Sequence, residues 1–390
     1  MMTKSWFDLI PTSAMIKWRR YLHQNPELSF HEEKTSHYLI HQLKSFGDIK
    51  IEQPTPTSVL GTITGKSAGK KILLRADIDA LPVQEETKLE FASQTPSVMH
   101  ACGHDTHMAI LLATAKVLVQ LRNQFSGSVQ VLFQHAEETP PGGAQEIVQS
   151  GYLKNIDAII GLHIIPFLPT GSINVVLGGP VSTASDVMKL TIQGKGGHGS
   201  MPQNSIDPII VGNEIINQIQ TVVSRLTAPD ELNVVNIGEF KAGSAPNVIA
   251  DTAYLSASIR SVNQTTRQII AQKIKAIVQN TCQTYGATPE LDYQFYYNAV
   301  INDSSLSKLV YQSAQQVLGP QLVTTAGKTS ASEDFSAYGK LAPLCYFILG
   351  GGLAAEGYKY ANHSPQFIID EKALINGVKT DIATVLNFLQ

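Results

Sequence analysis

The stretch Ser128-Val-Gln-Val-Leu-Phe-Gln-His-Ala136, closed at once by Glu137-Glu138, constrains the fold of this chain more than any other. A short apolar run with β-branched and aromatic residues reads as a buried strand. Two adjacent carboxylates at its end are costly to bury unless something compensates their charge. Successive strand residues point to opposite sides, so one carboxylate can hold a metal while its neighbour faces a substrate. Four other stretches also place metal-capable side chains just beyond apolar runs: Arg75-Ala-Asp-Ile-Asp-Ala-Leu-Pro82, His100-Ala-Cys-Gly-His-Asp-Thr-His107, Gly161-Leu-His163 and Asn362-His-Ser364. Together they point to a metal-dependent hydrolase.

The surrounding pattern predicts an α/β fold: a catalytic domain with a mostly parallel sheet flanked by helices. Lys71–Arg75, Val129–Phe133, Ala158–Ile160 and Leu344–Leu349 read as strands. Between the first two, Met108, Leu111, Leu112, Ala115, Leu118 and Val119 recur at helical spacing, which predicts a helix from Thr106 to Arg122 capped by Asp105 or Thr106. Helices are also predicted around Trp18-Tyr21-Leu22, around Tyr38-Leu39-Leu43, and from Glu371 through Leu374, Val378, Ile382 and Leu386.

From Ala184 the pattern changes. A strand over Val187–Ile192 is followed by a helix with Ile206, Ile209, Ile210, Ile216, Ile219 and Val223 as its apolar positions. Strands Asn233–Ile237 and Ala253–Ile259, a helix over Gln264–Thr281 and a strand over Glu290–Tyr296 complete a β-α-β-β-α-β order. That order is the ferredoxin-like α+β arrangement. A chain of 390 residues exceeds what one core usually supports. The expected division is a discontinuous metal-binding catalytic domain, 1–183 and 298–390, with an inserted domain over 184–297.

Composition narrows the class by exclusion. With 29 basic against 32 acidic residues and a net charge of −3, nothing favours nucleic acid or an anionic membrane surface as a partner. The start, Met1-Met-Thr-Lys-Ser-Trp-Phe-Asp8, lacks an apolar signal core, and no segment reads as a membrane span. Three cysteines do not make a disulfide framework, so a cytoplasmic location is expected.

The candidate ligands are Cys102, His104, Glu138, His163 and His363. Cys102 and His104 flank a glycine at a helix start, where the helix dipole and a dication would both favour the thiolate. Mixed sulfur, nitrogen and oxygen donors suit zinc best among divalent ions. Five ligands exceed one tetrahedral shell, which predicts two metals sharing a carboxylate or water. Glu137 is the candidate general base. Asp79 is placed to orient a ligating imidazole. Asp77 can pair with Arg75, and its role stays open.

In Gly194-Lys-Gly-Gly-His-Gly199 the glycines permit close backbone approach, and His198 is a candidate oxyanion donor. Neither this stretch nor Thr325–Thr329 matches a phosphate loop. Asn247 and Arg260 are candidate substrate contacts, the guanidinium for a substrate carboxylate. His100, His107 and His135 are read as supporting residues. His23, His31, His37 and His41 are read as solvated or packing residues, and Cys282 and Cys345 as core thiols.

These motifs, with Arg19-Arg-Tyr-Leu-His-Gln-Asn-Pro-Glu-Leu-Ser-Phe30, Gly196–Pro202, Ser332-Glu-Asp-Phe335 and Asn362-His-Ser-Pro365, resemble the M20 metallopeptidases over nearly the whole chain. The resemblance is to the aminoacylase-like amidohydrolase branch, which includes hippurate hydrolases and N-acetyl-diaminopimelate deacetylases. It implies the five ligands named above, Glu137 as base and Asp79 as its supporting acid. It also implies that the inserted domain is a lid that makes a homodimer, with His198 reaching a neighbouring active site. Many family members have His where this chain has Asp77, and that departure favours an amidohydrolase over a dipeptidase. The implied metal includes manganese, nickel or cobalt beside zinc.

The resulting expectation is cleavage of an N-acyl-L-amino acid to a carboxylic acid and a free amino acid by metal-activated water. Dipeptide or carbamoyl-amide cleavage is the alternative on the same scaffold. A non-catalytic amino-acid or peptide binder is the alternative from another class, and it would not need Glu137.

Overall fold

Strands Ser128–Gln134, Lys71–Asp77, Ala158–Ile165 and Leu344–Gly350 lie side by side, all parallel, at the centre of an eight-stranded sheet. Each is buried along nearly its whole length, which is why each reads as a mainly apolar run rather than as a half-polar alternating one. Val59–Thr64 and Lys50–Glu52 extend one side antiparallel. Ile173–Val175 runs antiparallel to Leu344–Gly350 on the other, and Val323–Thr325 pairs parallel to it at the edge. Three of these outer strands have only 3 residues and are too brief to stand out in the sequence. The computed structural model describes residues 4–325 and 329–390; Met1–Thr3 of the N-terminal segment and residues 326–328 of the excluded phosphate-loop stretch lie outside the described residues.

Helices Thr12–Gln24, Glu33–Ser45, His104–Leu121, Ser304–Leu318 and Leu374–Phe388 share one apolar core with this sheet. The helix expected from Thr106 begins at His104 instead, and neither proposed cap acts as one. Gly103 precedes it at φ 93° with no side-chain cap, while the Asp105 carboxylate turns to Arg19 Nε and His23 Nδ1, each at 2.8 Å. His23 is therefore a buried ion-pair partner rather than a solvated side chain, whereas His31, His37 and His41 are exposed. Among the described residues no helix is long and apolar enough to cross a membrane.

Asp381, on the helix Leu374–Phe388, is buried at 4% exposure, and burial pushes its carboxyl from 3.8 up to about 8. Across that interval the folded chain keeps a proton that the unfolded chain releases, so Asp381 makes stability fall as pH rises from about 4 to about 8. Asp381→Asn removes that slope. Its unfolding free energy, measured at pH 4 and pH 8, is expected to match the parent at the lower pH. At the higher pH it should exceed the parent by an amount on the order of a few kcal/mol. An unchanged slope contradicts the assignment.

By density of contacts the chain divides into two units: residues 4–181, 301–325 and 334–390, and residues 182–300 with 329–333. In the second unit the strand order is Asn233–Ala242, Thr252–Ser261, Ala184–Gln193, Thr288–Phe295, all antiparallel. With helices Pro208–Leu226 and Gln264–Tyr285 between strands in chain order, this is the ferredoxin-like α+β arrangement. Residues 329–333 join it through the Thr183 N–H, which donates to the Ala331 carbonyl at 2.8 Å.

The apolar face of the helix Pro208–Leu226 differs from the sequence expectation. Val211, Ile215, Ile219 and Val222 are buried against the sheet, while Ile209 and Ile210 are exposed. A helix this rich in isoleucine and valine offers two overlapping stripes, and only packing selects one. Arg267, on the helix Gln264–Tyr285, and Asp186, on the strand Ala184–Gln193, form a buried ion pair to which Tyr293 also donates, at 3.1 Å from Asp186 Oδ2.

Candidate metal centre and active site

The parallel strands place the acidic and imidazole residues at their carboxyl-terminal ends, where sites gather in open α/β sheets. Asp77 ends its strand, Glu137 and Glu138 follow Ser128–Gln134, and His163 lies within Ala158–Ile165 rather than after it. Gly103 gives Cys102-Gly-His104 its shape: φ is 93°, and a Cβ there would meet Ile164 Cγ2 at 2.7 Å.

Among the described residues, two donor groups contain Cys102. Cys102, His104 and His163 bring one donor atom each within 4.8 Å of one another, and so do Cys102, Glu138 and His363. All five candidates thus converge, and the side chain common to both groups is the Cys102 thiol, where the sequence suggested a shared carboxylate or water. Glu137 joins His104 and Glu138 within the same reach.

Hydrogen bonding commits the imidazoles. His163 Nδ1 donates to the Ile164 carbonyl at 2.8 Å, which leaves Nε2 facing Cys102 Sγ at 3.3 Å. His104 Nδ1 donates to the Asp79 carbonyl at 2.9 Å and lies 3.3 Å from Asp79 Oδ1, leaving Nε2 without a hydrogen bond. Glu138 Oε1 lies 3.8 Å from that Nε2 and 3.3 Å from His363 Nε2, and it too lacks a well-formed hydrogen bond. Fixing one ring nitrogen so that the other points into a site is how proteins present metal-binding histidines.

The electrostatics also fit a cation. Burial alone would lower His104, yet Asp77, Asp79 and Glu138 raise it to about 10. Burial, then Glu138, Glu137 and Asp77, push the Cys102 thiol well up. Burial and the carboxylates thus oppose the thiolate that the helix N-terminus and a dication are expected to favour. A cation would be needed to hold the sulfur ionised. Burial, with His107 and His104, keeps His163 well below the usual imidazole range, hence neutral and able to donate a lone pair. Mixed donors, orphaned buried atoms and excess negative charge together fit a divalent metal.

Asp77 is fully engaged. Its Oδ2 accepts from Arg75 Nη1 at 2.6 Å and its Oδ1 from His107 Nδ1 at 2.6 Å. His107 Nε2 in turn accepts the Ile164 N–H at 2.9 Å, so His107 has no ring nitrogen left for a metal. Arg75 also donates to Gln134 at 2.8 Å and to Asp334 at 2.9 Å, all buried. Sequence reasoning missed this role for Asp334, which is 259 positions from Arg75; an arginine inside an otherwise apolar strand was the available signal. Asp79 Oδ2 accepts from Ser29 Oγ at 2.7 Å and from the Glu138 N–H at 2.9 Å. His135 spans Thr55 and Glu146, while His100 is buried with neither ring nitrogen hydrogen-bonded. Cys282 and Cys345 are buried and free.

The remaining candidates lie in the second unit. His198 and Val248 pair across a two-stranded ribbon, and the Gly199 N–H donates to the Asn247 carbonyl at 2.9 Å, so His198 and Asn247 are neighbours. His198 Nδ1 accepts from the Ser200 N–H at 3.1 Å, which leaves the proton on the exposed Nε2. Arg260 stands apart from them, half-buried, with Nη1 donating to Ser185 Oγ at 2.6 Å.

A parallel α/β sheet with clustered thiol, imidazole and carboxylate donors beside a further carboxylate defines a hydrolase of the metallopeptidase type. The model of peptidase family M20/M25/M40 matches residues 73–387, and the chain belongs to that family. It is 44% identical over 299 residues to an N-acyl-L-amino acid amidohydrolase of Geobacillus stearothermophilus, covering 77% of this chain and 80% of the relative. It is 36% identical to thermostable carboxypeptidase 2 of Saccharolobus solfataricus, covering 96% and 95%. The YXEP protein of Bacillus subtilis, described as a dinuclear metal binding peptidase from the M20 family, superposes with a TM-score of 0.84 at 32% identity over 99% of both chains.

Proposed function

We propose that this protein hydrolyses the amide bond of N-acyl-L-amino acids, releasing a carboxylic acid and a free amino acid. The observation that carries the reading is the pair of donor groups joined by Cys102, with Glu137 beside them. Cys102, His104 and His163 would hold one divalent ion, and Cys102, Glu138 and His363 a second. Such ions, when bound, supply a Lewis acid for the amide carbonyl and acidify water. Zinc suits the donor set best, with manganese, nickel and cobalt as alternatives.

The chain's own groups do the rest. Glu137 takes the proton of the attacking water and returns it to the departing amine nitrogen. Asp79 steadies the His104 ring and the Glu138 backbone. His198, with its proton on Nε2, serves as a donor to the developing oxyanion, with Asn247 beside it. Arg260 is assigned to the substrate carboxylate, and the second unit to the roles of lid and of contact between two copies of the chain.

The carboxypeptidase relative favours a second reading. A carboxypeptidase also releases an amino acid with a free carboxylate, so the two activities differ only on the acyl side of the bond. Hydrolysis of hippurate, N-acetyl amino acids, N-acetyl-diaminopimelate and dipeptides, each with and without a chelator, separates them. Chelator-sensitive turnover of acyl amino acids is expected. Turnover of dipeptides alone establishes the second reading, and turnover that survives chelation contradicts the metal-dependent mechanism.

A further inference from the structure

Ala136, the residue before Glu137, stands at φ 50°, in the left-handed region that side chains other than glycine seldom adopt. Such a conformation persists only where its surroundings hold it, and it clusters at functional positions. Its N–H donates to Glu32 Oε1 at 2.8 Å, and Thr57 Oγ1 donates to Glu32 Oε2 at 3.0 Å. Glu32 is wholly buried although it comes from a different part of the chain, at the start of the helix Glu33–Ser45. On the other side of Glu137, the Glu138 N–H is held by Asp79 Oδ2 at 2.9 Å. The Gly143 N–H closes the turn on the Ala136 carbonyl at 3.0 Å.

We propose that Glu32 is a positioning residue for Glu137: its buried carboxyl fixes the left-handed turn at Ala136 from which Glu137 is presented. This rests on the reading of Glu137 as the base. A buried carboxyl is an expensive way to satisfy one amide unless the geometry of that amide matters. Two carboxyl groups, Glu32 and Asp79, grip the N–H groups immediately before and after Glu137, so the backbone that carries the base is fixed on both sides. Proton transfer demands such placement, because a displacement of about 1 Å can lower a rate about 100-fold. Accepting the Ala136 N–H needs only an oxygen, so glutamine can take the place of Glu32.

The test compares E32A, E32Q, E137Q and the double variant E32A/E137Q for kcat, KM and metal content. E32A is expected to lower kcat between about 10- and 100-fold, with KM within about twofold of the parent and metal content unchanged. E32Q is expected to recover most of that loss. In the E137Q background, E32A is expected to lower kcat no further, since it acts through the group already removed. Parental kcat in E32A, a loss that tracks lost metal, or an equal fold-loss in both backgrounds overturns the proposal. If E32A does not fold, E32M keeps the side-chain volume and is read by the same outcomes. A near-parental E137Q overturns the proposed base instead, and so separates the two failures.

Discussion

Glu137→Gln is expected to lower kcat by about 10²–10⁴-fold while metal content stays at the parental level. The substitution keeps the shape of the side chain and removes only its capacity to take and return a proton. Neither donor group that contains Cys102 includes Glu137, so the ions would remain. The loss should fall on kcat with little change in KM, because proton transfer is a demand of the transition state and not of the bound substrate. Equal activity in the variant and the parent would remove Glu137 from the chemistry. Lost metal would instead make it a ligand.

Cys102→Ala is expected to have an effect of comparable size by a different route. Because Cys102 belongs to both donor groups, its removal leaves two residues in each, too few to hold an ion tightly. Metal content should fall for both ions together. Hydrolysis should drop by more than the roughly 10–100-fold that losing a hydrogen-bond partner of a ligand costs. His363→Ala is the control: it disturbs only the group with Glu138 and leaves Cys102, His104 and His163 in place. Metal analysis of the purified variants checks both. Full metal content in Cys102→Ala contradicts the shared-thiol arrangement.

The central strands were legible because burial on both faces writes itself into sequence as mainly apolar runs, broken only by Gln130 in Val129–Phe133 and unbroken in Leu344–Leu349. Their metal-capable neighbours were legible for a related reason: carboxylates and imidazoles that close such runs add nothing to apolar packing and cost free energy to desolvate. Long-range pairing was not legible. Glu32 lies 104 positions from Ala136, and Asp105 lies 82 from His23, so nothing local marks either as a partner. Asp105 looks like a helix cap in sequence, and only the approach of Arg19 and His23 turns it inward. The helix Pro208–Leu226 shows the same limit in apolar residues, since Ile209 and Ile215 are equivalent until a sheet lies against one of them. Sharing of Cys102 between two groups is a property of the assembled strand ends and has no counterpart in spacing.

The most direct measurement is the return of activity to chelated protein. Protein stripped of metal is titrated with zinc, manganese, nickel or cobalt while hydrolysis of an N-acyl-L-amino acid is followed. The account predicts no turnover at the start and a rise that saturates when two equivalents per chain have bound. Turnover by the stripped protein equal to that of the untreated protein, or two equivalents bound with no hydrolysis of any acyl amino acid, would contradict it.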